Sequence, residues 1–493
     1  MTMIKLNPLF TDNAVVQAEK DFFLTGQVSN KEEVQVRFGE LDVKTTSDES
    51  GYFSLILPPQ KYGTIGDITV KTELAEKKVH VQFGDVFLFG GQSNIEFKMA
   101  DEAHFQAEKE RVAQTSIDLF FINVPQVEYE DNIETIPSTV SWEEWKPINS
   151  ETLAEVSAIA YYSMRRYKKK YPNRIVGIVN CSKGGTSASS WMSLDFLKKS
   201  KSLNQNILVP YQQAITGKTR EEFDVKWNTY QAIAESYYSL RNQWVEGHPN
   251  LSLIDIKKKI GHSPWPPPIT PYSFLRPAGL YYTMFKKIVP YTFLGVIWYQ
   301  GEEDTQHGYL YEELLSMLMK QWRADLQAEV PFYIVQLPLC VDKPNHDWPA
   351  VRQAQAKIAE NMKATFLVTS LDCGLPDNIH PPEKNVLGER IGEIIQQRYY
   401  SSSPTANVIA KEKDKIVIEI KNAESLKVTC EECIHTNADN FTVSIKKNMI
   451  EISVENNQEL TTVEYAWSNA PIPALFNEVG YPVSPFKIEC KDS

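Results

Sequence analysis

Hydrophobic positions along the chain change their spacing twice. From Ala14 to Phe83 short β-type runs (DFFLTGQV, VQVRF, GYFSLILPP, DITVKT, KVHVQF) are separated by polar, glycine-containing breaks. In Val34-Gln35-Val36-Arg37-Phe38 every second residue is apolar, the period of a strand with one wet face. This predicts a small antiparallel sandwich-like β-module over residues 1–83. The same texture returns near Ala406 in NVIAKE, KIVIEIK, FTVSIKK, MIEISVE and TTVEYAW. It predicts either a second β-module over 403–493 or further strands of the first.

The middle differs in kind. Continuous apolar runs recur at wide spacing: Val86–Phe89, Leu119–Val124, Ile175–Val179, Phe293–Tyr299, Phe332–Gln336 and Phe366–Thr369. Uniformly apolar runs suit strands buried on both faces of a parallel sheet. Helical patterns intervene at Leu153–Tyr171, Tyr309–Leu326 and Pro382–Tyr399, the last with Val386/Leu387, Ile391 and Ile394/Ile395 on one face and Pro382 in the first turn. Residues 84–402 therefore read as an α/β core with helices covering a sheet. Between about 194 and 270 no such strand run appears. Lys218–Ile260 is charged and helix-like, and SPWPPPITPYSF comes next, so a helical insertion ending in a rigid loop is expected.

Composition narrows the class. The chain has 493 residues, 42% apolar and 23% charged, as in an ordinary globular protein of several domains. A net charge of −12 opposes non-specific binding to nucleic acid or to an anionic membrane. The first twenty residues lack a basic segment followed by a continuous apolar one, so no secretory signal is read. The apolar run Ile288–Gly301 contains a proline and is shorter than the about 18 residues a spanning helix needs, so no membrane segment is expected. Cys181, Cys340, Cys373, Cys430, Cys433 and Cys490 read as scattered thiols, and the expected compartment is cytoplasmic. Cys430 and Cys433 form a C-x-x-C without a second ligand pair, which leaves no metal site to expect.

Ligands of open parallel sheets bind beyond the carboxyl ends of the strands, so the residues just after each apolar run carry the candidate chemistry. Four runs lead into Gly90-Gly91-Gln92-Ser93-Asn94, Cys181-Ser182-Lys183-Gly184-Gly185-Thr186, Gln300-Gly301-Glu302-Glu303-Asp304 and Leu375-Pro376-Asp377-Asn378-Ile379-His380. A serine hydroxyl is a poor nucleophile until an imidazole takes its proton, which pairs Ser93 with His380. Asp377, three residues before that histidine, is near enough in sequence to fix its tautomer. The Gly184-Gly185-Thr186 turn offers backbone N–H groups to a developing oxyanion, and the side-chain amides of Asn94 and Gln300 are further candidates.

As a set these blocks resemble one family. GDVFLFGGQSN, GGTSASSWMS, GVIWYQGEED and DNIHPPEKNVLGERI are similar, in order and spacing, to the sialate O-acetylesterases among the SGNH hydrolases. NPLFTDNAVVQ and YAWSNAPIPALFNEVGYPVSPF resemble that family's flanking β regions. The resemblance implies a flavodoxin-like, three-layer SGNH core with helices on both faces of the sheet. It also implies serine-dependent hydrolysis of acetyl esters on sugars, most directly sialic acids, without metal or organic cofactor. Carried over by position, Ser93 is the nucleophile, His380 the base, and the Ser93 N–H with Gly184 or Gly185 the oxyanion donors. The third block departs from the superfamily's G-x-N-D, since Gly301-Glu302-Glu303-Asp304 stands there. Related esterases carry Q-G-E in this loop, so Gln300 is a donor candidate and Glu302 competes with Asp377 as the acid; Asp377 is the preferred reading.

Specificity is expected on the sugar side, from Trp298, Tyr299 or the 261–275 loop. Two competing readings stand beside the sialate esterase: an acetylesterase of xylan or another polysaccharide, and a non-catalytic glycan-binding protein. The expected partner is an O-acetylated sugar; a homo-oligomer is left open by the sequence.

Overall fold

The computed structural model describes residues 4–115, 117–129, 142–248, 251–340, 345–397, 402–454 and 458–489. Cys490 and residues 398–399 of the expected third helix lie outside them.

One strand organises the molecule. Glu76–Gly91 is sixteen residues long; its first residues alternate in burial, and from Val81 onward every residue is buried. The first half pairs antiparallel with Ile65–Lys71 and parallel with Ala14–Gln17. The second half lies between Val176–Ser182 and Gly295–Tyr299, parallel to both. The strand thus crosses residues 83 and 84 without a break, passing from a sheet with one wet face into one covered on both sides. Alternation in the amino-terminal strands reads out directly: Val34 and Val36 are buried while Arg37 is exposed.

The parallel strands stand in the order Leu119–Asn123, Val176–Ser182, Glu76–Gly91, Gly295–Tyr299, Phe332–Val335, Thr365–Val368, with the short antiparallel strand Lys146–Pro147 at one edge. All six apolar runs of the sequence are strands of this sheet. Ala158–Lys170, Tyr311–Leu326, Trp348–Asn361 and Asn385–Gln396 are the main helices of the same unit. The last starts three residues later than its sequence pattern suggests. Pro382 is not in its first turn, because the Pro382 carbonyl instead accepts from the Ala103 N–H. Between Leu194 and Ile260 the chain is helical throughout its principal segments, including the 28-residue helix Arg220–Gly247, which opens on a Thr219/Glu222 capping box.

Residues from Ile4 to Ile395 contribute to one hydrophobic core, whereas Ile416, Ile418, Ile420, Ile450, Ile452 and their neighbours form a second. The second belongs to a four-stranded antiparallel sheet, Thr405–Lys411, Lys415–Lys421, Met449–Val454 and Phe441–Lys446, with smaller sheets beside it. Buried polar contacts join it to the central unit. Arg352, fully buried, donates to the carbonyls of Leu337 and Pro338 on its own side and of Ser468 and Asn469 on the other. Gln336 Nε2 donates to Ser484 Oγ at 2.7 Å.

Replacing Arg352 by Met leaves the buried Leu337 and Pro338 carbonyls without that donor. At about 1–3 kcal/mol per orphaned group the loss of unfolding free energy is about 2 kcal/mol or more. Lys421→Ala, which removes the half-exposed Lys421–Glu360 pair, costs under about 1 kcal/mol. Urea denaturation midpoints of the two variants check the contrast.

Candidate active site

The strand order turns at Glu76–Gly91, whose neighbours continue the chain in opposite directions across the sheet, and the crevice of such a sheet opens at that strand's carboxyl end. Two glycines bring the chain out of it. Gly91 has φ +135°, and a Cβ there would stand 2.1 Å from the Tyr299 carbonyl oxygen, so only glycine allows the neighbouring strand this close. Ser93 then opens the short helix Ser93–Glu96, whose first N–H groups have no partner within the helix.

Ser93 Oγ lies 2.7 Å from His380 Nε2, a hydrogen bond across 287 positions of sequence. The loop that carries His380 is shaped locally: Asn378 Oδ1 accepts from the His380 N–H at 2.9 Å. The glycine turn faces the same serine, since a Cβ on Gly184 would be 3.2 Å from Ser93 Cβ. Gly185, with φ +71°, lies directly beneath the Trp265 indole, which fills the space any side chain there would take. The Gly184 N–H is engaged by Glu96 Oε2, whose other oxygen accepts from Gln126 Nε2 at 2.7 Å. An oxyanion using that donor therefore has to displace the Glu96 carboxylate.

The remaining expected residues divide. Asp377 does not meet the imidazole. It sits in the turn closed by the Leu375–Asn378 bridge, does not line the cavity, and makes no hydrogen bond or ion pair among the described residues. Glu302 does line the cavity beside Ser93 and His380 and is buried, with Oε1 accepting from Asn94 Nδ2 at 2.7 Å. Asn94 and Gln300 are not turned toward an oxyanion. The Asn94 amide donates to Glu302 and to the Ile379 carbonyl. The Gln300 amide donates to Asp304, the Thr186 carbonyl and Gln92, and its own oxygen accepts from Tyr311. Gln300 is a brace between the glycine turn and its own loop. Trp298 and Tyr299 are fully buried, Trp298 packing edge-on to Trp191 and Trp322, so neither offers a sugar a surface.

Four residues of the site escaped sequence reasoning. Gln92 Oε1 accepts from the N–H groups of Gly301 and Glu303 and so ties the serine turn to the Glu302 loop; its place in the GQSN block was the available signal. Asp304 accepts from Ser187 Oγ and the Ala188 N–H, and burial pushes its carboxyl up despite those bonds. Trp265, in the 261–275 loop, donates from Nε1 to Glu303 at 3.0 Å. Lys384, buried, donates from Nζ to Asn94 Oδ1 at 2.7 Å.

The cavity has a volume of 490 Å³. One wall is the Ser93 turn with the glycine turn; the other comes from the helical insertion, with Tyr237, Tyr238 and Arg241 on one helix and Leu253 and Lys257 on the next. The acidic residues of the lining each accept a hydrogen bond within the protein, Glu96 from Gly184 and Gln126, Glu302 from Asn94, and Glu303 from Trp265. Three cationic side chains, Lys183, Arg241 and Lys257, share that lining.

Residues 271–397 match the family described as carbohydrate esterase, sialic acid-specific acetylesterase. This match holds His380, Glu302 and Lys384, and it agrees with the resemblance drawn from the sequence blocks. The chain is 24% identical over 381 residues to the sialate O-acetylesterase of Rattus norvegicus and 23% identical over 381 residues to that of Homo sapiens. Each alignment covers 71% of this chain but only 64% and 61% of those proteins, so the chain spans less than two thirds of their length. A carbohydrate acetylesterase from Xanthomonas citri has a similar fold, with TM-score 0.74 and 22% identity over 99% of this chain and 100% of its own.

The two acid candidates separate in a simple experiment. Glu302→Gln is expected to lower kcat for an activated acetyl ester by about 10²–10⁴-fold, the range seen when the acid behind a catalytic histidine is neutralised. Asp377→Asn is expected to leave kcat close to that of the parent. Steady-state kinetics on both variants reads the difference.

Proposed function

We propose that this protein is a serine-dependent carbohydrate O-acetylesterase that removes acetyl groups from O-acetylated sugars, with acetylated sialic acids as the first candidates. The observation that carries the reading is the 2.7 Å contact between Ser93 Oγ and His380 Nε2 at the bottom of a cavity walled by a glycine turn. The family match over 271–397 and the names of the relatives support the ester and the sugar. The strand order around Glu76–Gly91 supports the finer assignment to a flavodoxin-like SGNH core, three-layered, with residues 1–83 and 403–493 as β-modules around a catalytic unit of 84–402. The free thiols of Cys181, Cys340, Cys373, Cys430 and Cys433 support a cytoplasmic location.

The mechanism is set by where protons can go. His380 Nε2 takes the Ser93 proton as Oγ attacks the acetyl carbonyl. The Ser93 N–H and the glycine turn stabilise the tetrahedral oxyanion, with the Glu96 carboxylate yielding its place. Glu302, rather than Asp377, is the acid behind the histidine in this reading. His380 next protonates the departing sugar oxygen, and a water deprotonated by the same imidazole releases acetate from Ser93.

An acidic sugar is favoured over a neutral xylan by the wall opposite the serine. Arg241 and Lys257 present positive charge there and Lys183 adds its own from the glycine turn, while the cavity's carboxylates accept hydrogen bonds from the protein.

Ser93→Ala is expected to lower kcat for acetylated sugars by about 10³-fold or more. Equal acetate release by parent and variant overturns the serine mechanism, whereas no acetate release by the parent leaves the glycan-binding reading. Separately, Arg241→Gln is expected to raise KM about tenfold or more for an acetylated sugar bearing a carboxylate, a loss of about 1.4 kcal/mol of binding, with KM for a neutral acetylated sugar unchanged. Acetate release measured over both substrates decides it.

A further inference from the structure

Beneath the serine turn lies a buried chain of charge that the hydrolytic steps do not use. Lys384, Asn94 and Glu302 are each no more than 2% exposed. Lys384 Nζ donates to Asn94 Oδ1 at 2.7 Å, and Asn94 Nδ2 donates to Glu302 Oε1 at 2.7 Å and to the Ile379 carbonyl at 3.0 Å. We propose that Lys384 is a positioning residue for the hydrolytic site, its ammonium fixing the Asn94 amide that holds both the Glu302 carboxylate and the main chain entering His380. The proposal rests on the serine esterase reading and deepens it.

The case is one of donors and acceptors. An amide can face a neighbour with either end; Glu302 and the Ile379 carbonyl can only accept, so they take the Nδ2 side and leave Oδ1 in need of a buried donor. An ammonium has only donors, so the end of Asn94 facing Lys384 must be the oxygen. The two N–H bonds are then committed to the other side, one on Glu302 and one on the carbonyl just before the catalytic imidazole. Asn94 also comes directly after Ser93, so a single amide binds together the three strand-end loops that carry the nucleophile, the acid and the base. Removing the ammonium leaves Asn94 Oδ1 buried without its donor, so the amide loses the anchor that presses it against Glu302 and the Ile379 carbonyl.

Burying the charge is costly, and the surroundings offset it. Glu302 faces Lys384 from the loop after Gly295–Tyr299 and Glu102 from the turn after Met99–Asp101; the nearby Cys373 thiol, pushed up to about 12 by burial, stays neutral, and the Phe97 ring lies 4.8 Å from Nζ. The main chain is anchored as well, since the Lys384 N–H donates to Glu102 Oε1 at 3.1 Å. Desolvation still wins over these charges and pushes the Lys384 ammonium down to about 8. Because the folded-state value is depressed, the ammonium is present at neutral pH and is lost as pH rises through 8.

The test is the pH profile of kcat for 4-nitrophenyl acetate, corrected for spontaneous hydrolysis, in the full-length parent and in Lys384→Met, Asn94→Leu and Ser93→Ala. The parent is expected to lose activity above about pH 8. Lys384→Met is expected to fall about 10–100-fold in kcat, the scale of a small misplacement of reacting groups, with KM unchanged and the alkaline limb gone. If Lys384→Met does not fold, Asn94→Leu carries the test, since it cuts the link and is expected to remove the same limb. Parent-like kcat in Lys384→Met, or an unaltered limb near pH 8 in either variant, overturns the role of Lys384. Full activity in Ser93→Ala instead overturns the esterase reading on which it rests.

Discussion

The close approach of two parallel strands at Gly91 is the constraint on which the site depends. The main chain of Glu76–Gly91 runs against Tyr299 so tightly that no side chain fits at position 91. The Gln92 N–H continues the contact by donating to the Tyr299 carbonyl at 3.1 Å. That contact sets where the chain leaves the sheet, and therefore where Ser93 stands. It also brings the loop after Tyr299 within reach of the Gln92 side chain, which accepts from two of its N–H groups. The serine turn and the Glu302 loop are thus one rigid object rather than two loops that happen to meet.

Around that object the protein keeps several charges out of water, and each is held by specific partners. Asp85, fully buried on the same strand, accepts from the hydroxyls of Tyr62 and Tyr167 at 2.8 Å and from Arg174 at 3.0 Å. These partners come from the turn before Ile65–Lys71, from the helix Ala158–Lys170 and from the loop after it. Asp304 does the same between the Ser187 turn and Gln300. Arg352 reverses the sign, a buried cation feeding four carbonyls across the junction with the carboxyl-terminal sheet. A buried ion without such partners costs several kcal/mol, so these positions are intolerant of change and fix the relative placement of the parts they join.

How much of this was legible in the sequence depends on the range of the interactions involved. The six strands were readable because burial on both faces leaves no polar positions, a local property of each run. The meeting of Ser93 with His380 was readable because the chemistry of such a sheet gathers in the loops after its strands, and both residues lie in such loops. Asp377 misled because nearness in sequence is not nearness in space: the chain folds back at Leu375–Asn378, and it is Asn378, not Asp377, that contacts the His380 backbone. Glu302 and Lys384 depend on Asn94, more than 200 residues from either, and no local pattern records such a meeting. Trp298 looked like a sugar platform because aromatics at strand ends serve as such; here its face of the strand turns into a cluster with Trp191 and Trp322.

The helical insertion gains its meaning from one indole. Trp265 covers Gly185 on the glycine turn and hydrogen-bonds Glu303 on the loop of the candidate acid, so the insertion touches both loops that flank Ser93. An acetyl group is small and offers little to recognise, which leaves discrimination among acetyl esters to the alcohol side. Across the cavity stand Tyr237, Tyr238 and Arg241 on Arg220–Gly247 and Lys257 on Leu253–Ile260, the helix that leads into the Trp265 loop. Binding energy collected on the insertion can therefore reach the oxyanion turn through a single rigid side chain. Interactions with the remote part of a substrate raise kcat only when they are transmitted to the reacting centre in this way. On the proposed esterase reading, an insertion of this kind would tune the rate of the reaction as well as the choice of substrate.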